Sequence, residues 1–84
     1  MSSRLTLVVR AYCHLCDDMR AALGVHARGV AVEEIDVDTD PTLEVRWGGK
    51  VPVLLGDGRE LCHFQLDVRV LQSYLARPSG SGSR

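Results

Sequence analysis

The chain has 84 residues, 45% hydrophobic and 25% charged, with a formal net charge of −1. That length suits one small domain with a marginal core, and the composition excludes a largely disordered chain. The near-neutral balance leaves no broad electrostatic footprint for nucleic acid, and the apolar run Leu5–Val9, which Arg10 ends, is too short for a signal-peptide core or a membrane span.

The stretch 4–10, RLTLVVR, is short and rich in β-branched residues, and it reads as a buried strand. Leu15, Met19, Ala22, Leu23 and His26 then recur at helical spacing, which predicts an amphipathic helix over about 14–27 with Gly29 as its stop. Residues 30–38, VAVEEIDVD, alternate with a shift of phase, which predicts a second strand with a bulge at Glu33-Glu34. Asp40 is placed to cap a short helix with Pro41 in its first position, ended by the Gly48-Gly49 pair. KVPVLL, 50–55, is a third strand that must hold Pro52 at an edge or at its start, because proline has no N–H to donate. GDG at 56–58 is a hairpin turn, RELCHF at 59–64 is the returning strand, and Asp67 caps a last helix with Val68, Leu71 and Leu75 on one face and Val70 and Tyr74 beside it. The order is β-α-β-α-β-β-α: an α/β domain over 1–77 with a four-stranded mixed sheet and three helices, followed by a flexible tail at 78–84.

The chemistry concentrates at Cys13 and Cys16. With no export signal visible, a reducing cytoplasmic setting is expected, where a cysteine pair more often does redox or metal chemistry than stapling. Three cysteines in all is an odd count, which argues against a simple disulfide framework. Cys13 falls where a strand gives way to a helix, so its thiolate would meet unpaired backbone N–H groups and the positive end of the helix dipole. Such surroundings lower a cysteine pKa. Cys16, one turn later, falls toward the buried side with Met19 and Leu23. An accessible thiol backed by a shielded one is the division of labour that thiol–disulfide exchange needs. Half of a metal site and a pair of buried cysteines remain open alternatives. A zinc site needs about four ligands, and the local candidates beyond the pair are His14, Cys62 and His63. Cys62 reads as a small buried hydrophobe rather than a third redox position, and Trp47 as a packing residue under the second helix. The acidic run Glu33, Glu34, Asp36, Asp38 and Asp40 reads as a solvated edge and a helix cap.

The segments CHLCDDM, GGKVPVLL and DGREL, in this order of elements, resemble the short bacterial glutaredoxin-like proteins of the thioredoxin-fold superfamily over about residues 4–76. The resemblance implies a dithiol–disulfide oxidoreductase of cell redox homeostasis, with Cys13 as nucleophile and Cys16 as resolving thiol. It implies a cis peptide bond at Pro52, opposite Cys13, where the backbone of Val51 is presented to an incoming thiol. Arg10, three residues before Cys13, matches a basic residue that in glutaredoxins helps bind the glutathione carboxylate, and Tyr12 adjoins the thiol. The departures are His14-Leu15 in place of Pro-Tyr between the cysteines, and ELCHFQLD in place of a Gly-Gly followed by a Cys-Asp-Asp turn. Glutathione is therefore expected as a weakly bound reductant only, with no resident cofactor and no metal. The expected partner is a thiol or disulfide substrate protein, or glutathione, and the expected state a monomer without nucleic acid or membrane. A binding module that keeps the fold without efficient turnover, or a metal-binding protein, is the alternative.

Overall fold

Residues 4–77 are described by the computed structural model, so the tail expected at 78–84 lies outside the described residues. The elements are β1 (Leu5–Val9), α1 (His14–His26), β2 (Val32–Asp36), a 3-10 turn (Val37–Thr39), α2 (Pro41–Trp47), β3 (Val53–Gly56), β4 (Arg59–His63) and α3 (Val68–Ala76). The strands lie in the order β2-β1-β3-β4. β1 runs parallel to β2, as a strand–helix–strand crossover requires, and antiparallel to β3, which is antiparallel to β4. This is the expected α/β architecture of four mixed strands and three helices.

Alternation along β1 divides the core between the two faces of the sheet. Leu5, Leu7 and Val9 pack with Cys16, Met19 and Leu23 of α1 and Leu71 and Tyr74 of α3. Val8 points the other way, into a smaller cluster with Val37, Trp47, Val53 and Leu55 under α2. Trp47 is thus a packing residue, as its sequence suggests. Tyr74 fastens the end of the fold to its beginning: its hydroxyl donates to the Arg4 carbonyl and accepts from the Arg4 amide. The ring lies so close to Gly56 that a Cβ there would stand 2.8 Å from it, which is why β3 ends in glycine. The β3–β4 turn has positive φ at both Asp57 and Gly58, the conformation that a two-residue hairpin favours.

Three expectations need correction. β2 has no bulge at Glu33-Glu34, and its register against β1 is unbroken from Val32 to Asp36. The apolar phase shifts because Glu34 takes a core-facing position at the sheet edge and bonds Arg20 of α1 at 2.8 Å instead of packing. The irregularity lies in β4, where the register against β3 slips between Leu54 and Leu55. The second correction concerns α1, whose buried stripe is Cys16, Met19 and Leu23, while Leu15 and His26 are exposed. β3 also starts later than its composition suggests: Lys50 still donates back to the Trp47 carbonyl, and Pro52 has no N–H for the ladder, so regular pairing begins at Val53.

Leu54 is fully buried at the centre of the sheet. Leu54→Ala is expected to cost about 2–5 kcal/mol. With a urea slope of about 1 kcal/mol/M for a domain this small, the unfolding midpoint should fall by roughly 2 M or more, read by far-ultraviolet circular dichroism.

Candidate functional site

After Val9 the chain leaves the sheet through Arg10, Ala11 and Tyr12. Tyr12 has φ +59 and its side chain stands wholly in solvent. A left-handed backbone is a genuine outlier for so bulky a residue, and here it turns the chain so that Cys13 begins α1. Cys13 is the helix N-cap: its Sγ accepts from the Cys16 amide at 3.1 Å, and its carbonyl accepts from the Asp17 amide. Ser, Asn and Asp usually hold this position, where a side-chain acceptor satisfies one of the free first-turn amides. Cys13 is partly exposed, whereas Cys16 is fully buried in the α1/α3 cluster. The two are joined as a disulfide with their Cα atoms 5.2 Å apart.

Register brings the second part of the site to the same end of the sheet. Val8 pairs with Val53 and the two strands are antiparallel, so Pro52 and Val51 continue past β1 on the side where Cys13 lies. The Val51–Pro52 bond is cis and Pro52 is buried. The Pro52 carbonyl accepts from the Phe64 amide at 2.9 Å, which ties this loop to the end of β4. Cys13, Cys16, Val51 and Pro52 are thus gathered at one edge. Tyr12 stands beside them without packing on them.

Arg10 points toward α2. Its guanidinium bonds both Asp38 oxygens at 3.3 Å, approaches the Gly48 carbonyl at 3.4 Å and pairs with Glu44. The bond to Asp38, reinforced by the charges of Asp38, Glu44 and Asp36, raises the Arg10 pKa further. Lys50, two residues before Pro52, donates to Glu60 at 2.9 Å, and the same carboxylate meets His63 Nδ1 at 2.6 Å. Lys50 first and His63 second hold the Glu60 carboxyl below its usual range. The cations nearest the site are therefore already paired with carboxylates.

His14 is exposed at the first turn of α1. Among the described residues, no three His, Cys, Asp or Glu side chains come together as metal ligands. Phe64 escapes a reading of the sequence. It has φ +65, is 45% exposed and packs its ring edge-on to His63. A hydrophobic residue following a strand carries no signal that it will be turned outward.

Cys62 sits in β4 opposite Leu54 and packs against the α1/α3 cluster, as a small hydrophobe does. Burial pushes its thiol pKa up. In a Cys13→Ser/Cys16→Ser protein at pH 7.5, iodoacetamide is therefore expected to modify Cys62 at least ~10-fold more slowly in the native state than in urea, because the reactive thiolate is both shielded and scarce. Mass spectrometry of timed quenches measures both rates.

The chain matches the family model of the Glutaredoxin-like domain (DUF836) over residues 4–76. It is similar to protein Ne2328 from Nitrosomonas europaea, solved by NMR, with 34% identity over 90% of this chain and 94% of that one and a TM-score of 0.82. It is also similar to the X-ray structure of protein XcR50 from X. campestris, with 42% identity over 88% and 99% of the two chains and a TM-score of 0.71. The holo form of glutaredoxin C1 from Populus tremula x tremuloides shares the fold, with 17% identity over 93% of this chain and 84% of that one and a TM-score of 0.60.

Proposed function

The chain belongs to the glutaredoxin-like domain family, and on that premise we propose that it is a dithiol–disulfide oxidoreductase that uses Cys13 as nucleophile and Cys16 as resolving thiol. The observation that carries the reading is the pairing of a partly exposed sulfur, at a helix N-cap and bonded to a backbone amide, with a fully buried partner one turn away. In the reduced protein the Cys13 thiolate attacks a substrate disulfide. A Cys13–substrate bond forms and the substrate's other sulfur leaves as a thiolate. The Cys16 thiolate then attacks the Cys13 sulfur, forms the internal disulfide and expels the substrate's remaining sulfur. Two electrons pass to the substrate, and the thiolates released take protons from water. A reducing thiol or a protein reductase must return the pair to its starting state. The exchange needs no metal and no organic cofactor. Val51 and Pro52, at the edge where Cys13 lies, are the backbone that an incoming chain would meet.

The reading places the reaction in the cytoplasm, in the upkeep of cellular thiols; among the described residues no helix is long and apolar enough to cross a membrane. Partners are the disulfide-bearing protein and the reductant, and the working unit is the monomer.

In a thiol/disulfide buffer series, alkylation with mass readout should show Cys13 and Cys16 moving together in one two-electron transition. Cys13→Ser should abolish exchange, and Cys16→Ser should trap a substrate on Cys13. Persistence of an intramolecular two-electron transition in Cys16→Ser would refute the pairing. Absence of any transition in the unaltered protein would favour a binding module.

Glutathione is proposed as a weak reductant. Arg10, the residue suited to its carboxylate, already bonds Asp38 and Glu44, and a glutathione carboxylate must compete with both. Losing one charge-assisted hydrogen bond costs ~1.5–3 kcal/mol, or about one to two decades in affinity. Asp38→Asn/Glu44→Gln should therefore tighten glutathione binding in an NMR titration, and Arg10→Ala should change it little. Tight, saturable binding that Arg10→Ala removes would overturn this assignment.

A further inference from the structure

The apolar stripe that the sequence writes on α1 is wider than the core needs. Cys16, Met19 and Leu23 fill the core, while Leu15 remains 41% exposed and Ala22 is only half-buried. These outer positions, with Asp18 and His26, form one wall of a groove of about 270 Å³. Phe64, Leu66 and Val68, from β4's end and the start of α3, form the other. A volume at the bottom of the range for ligand pockets fits one large side chain rather than a cofactor.

Two observations say what enters it. Leu15, which lies between the two cysteines, lines the groove, so a chain joined to Cys13 is tethered two residues from one of its walls. The only acidic side chain in its lining, Asp18, has no ion-pair partner among the described residues. Phe64 presents its ring here from a left-handed backbone that a bulky residue rarely adopts, an arrangement kept by the bond from its amide to the Pro52 carbonyl. Asp18 stands five residues beyond Cys13, a rise of about 7.5 Å along the helix, which an extended peptide spans in two to three residues.

Building on the redox reading above, we infer that this groove selects protein disulfides in which a bulky apolar side chain with an adjacent Lys or Arg lies two to three residues from the exchanging cysteine. The apolar side chain covers Leu15 and Phe64, and the cation meets Asp18. The chemistry is the exchange already written; the groove decides which disulfide is presented to it.

Blocked peptides with one cysteine, held as its mixed disulfide with 2-mercaptoethanol, test this. One set carries Leu-Lys two residues before or after the cysteine, a second carries Ser-Ser there, and 2-hydroxyethyl disulfide serves as a reference with no chain to reach the groove. The reduced protein should reduce the better Leu-Lys peptide roughly five- to thirtyfold faster than its Ser-Ser counterpart, the scale of discrimination an apolar pocket provides. Phe64→Gly, which suits the left-handed backbone and so keeps the loop, should shrink that ratio below about twofold. Asp18→Lys should lower the ratio and reverse the preference for Lys over Glu beside the Leu. Equal rates for the two peptide sets, or an advantage that survives Phe64→Gly, would overturn the inference while leaving the redox reading standing. A concentration-dependent dimer abolished by Phe64→Gly would assign the groove to a second copy and also overturn it. Failure to reduce any disulfide, the reference included, with both thiols free, would overturn the redox reading and this inference together.

Discussion

The hydrogen bond from the Cys16 amide to Cys13 Sγ is the contact on which the site depends. It makes the first sulfur the cap of α1, one turn from the second. The elements on either side serve that position. Tyr12 takes a costly backbone conformation just before it, and Cys16, Met19 and Leu23 anchor the helix behind it in the core. A thiol is a weak acceptor beside a hydroxyl or carboxylate, so capping alone would favour Ser, Asn or Asp here. A cysteine at this position therefore answers to something other than helix stability, and sulfur chemistry is the property it adds.

The surrounding charges sharpen the point. Arg10 is close in sequence to Cys13, yet Asp38 and Glu44 neutralise it, and Lys50 is held in the same way by Glu60. What faces the Cys13 sulfur is thus the helix start, with the oriented amides of the first turn, rather than an unpaired ammonium or guanidinium. Amides at a helix start stay oriented when salt rises, whereas exposed ion pairs are screened. The residues between the cysteines, His14 and Leu15, contribute their amides to that turn.

Much of this architecture is local in origin and so could be read in advance. Asp40-Pro41 and Asp67 cap their helices through their own side chains, and Asp57-Gly58 supplies both left-handed residues of the hairpin. The cysteine pair at a strand–helix junction is equally local. What could not be read depends on partners distant in the chain. Glu34 breaks the alternation of β2 because Arg20, on another element, receives it. Arg10 looks free in sequence and is engaged by residues 28 and 34 positions away. Helical spacing places Leu15 and His26 on a plausible apolar face, but only the docking angle of α1 decides which edge of that face is covered. The cis bond at Pro52 followed from the family resemblance; composition and spacing alone favour trans.

The irregularity in β4 explains how the two sides of the sheet come to differ near the site. Strand alternation would turn Glu60 and Cys62 to a single face. The register slip inserts Leu61 as an extra residue, so Leu61 and Cys62 both pack on the α1/α3 side. Glu60 and His63, three apart, then share the other side, where one carboxylate can hold both Lys50 and the imidazole. Phe64, just past the strand in its left-handed conformation, packs edge-on to His63 and lines the groove with Leu15. One inserted residue therefore separates the charged pairing of Glu60 with Lys50 and His63 from the apolar packing of Leu61 and Cys62. Bulges tend to re-aim side chains next to functional sites in this way. Here the ring of Phe64 and the side chain of Leu66, on either side of Gln65, line the groove that faces Leu15.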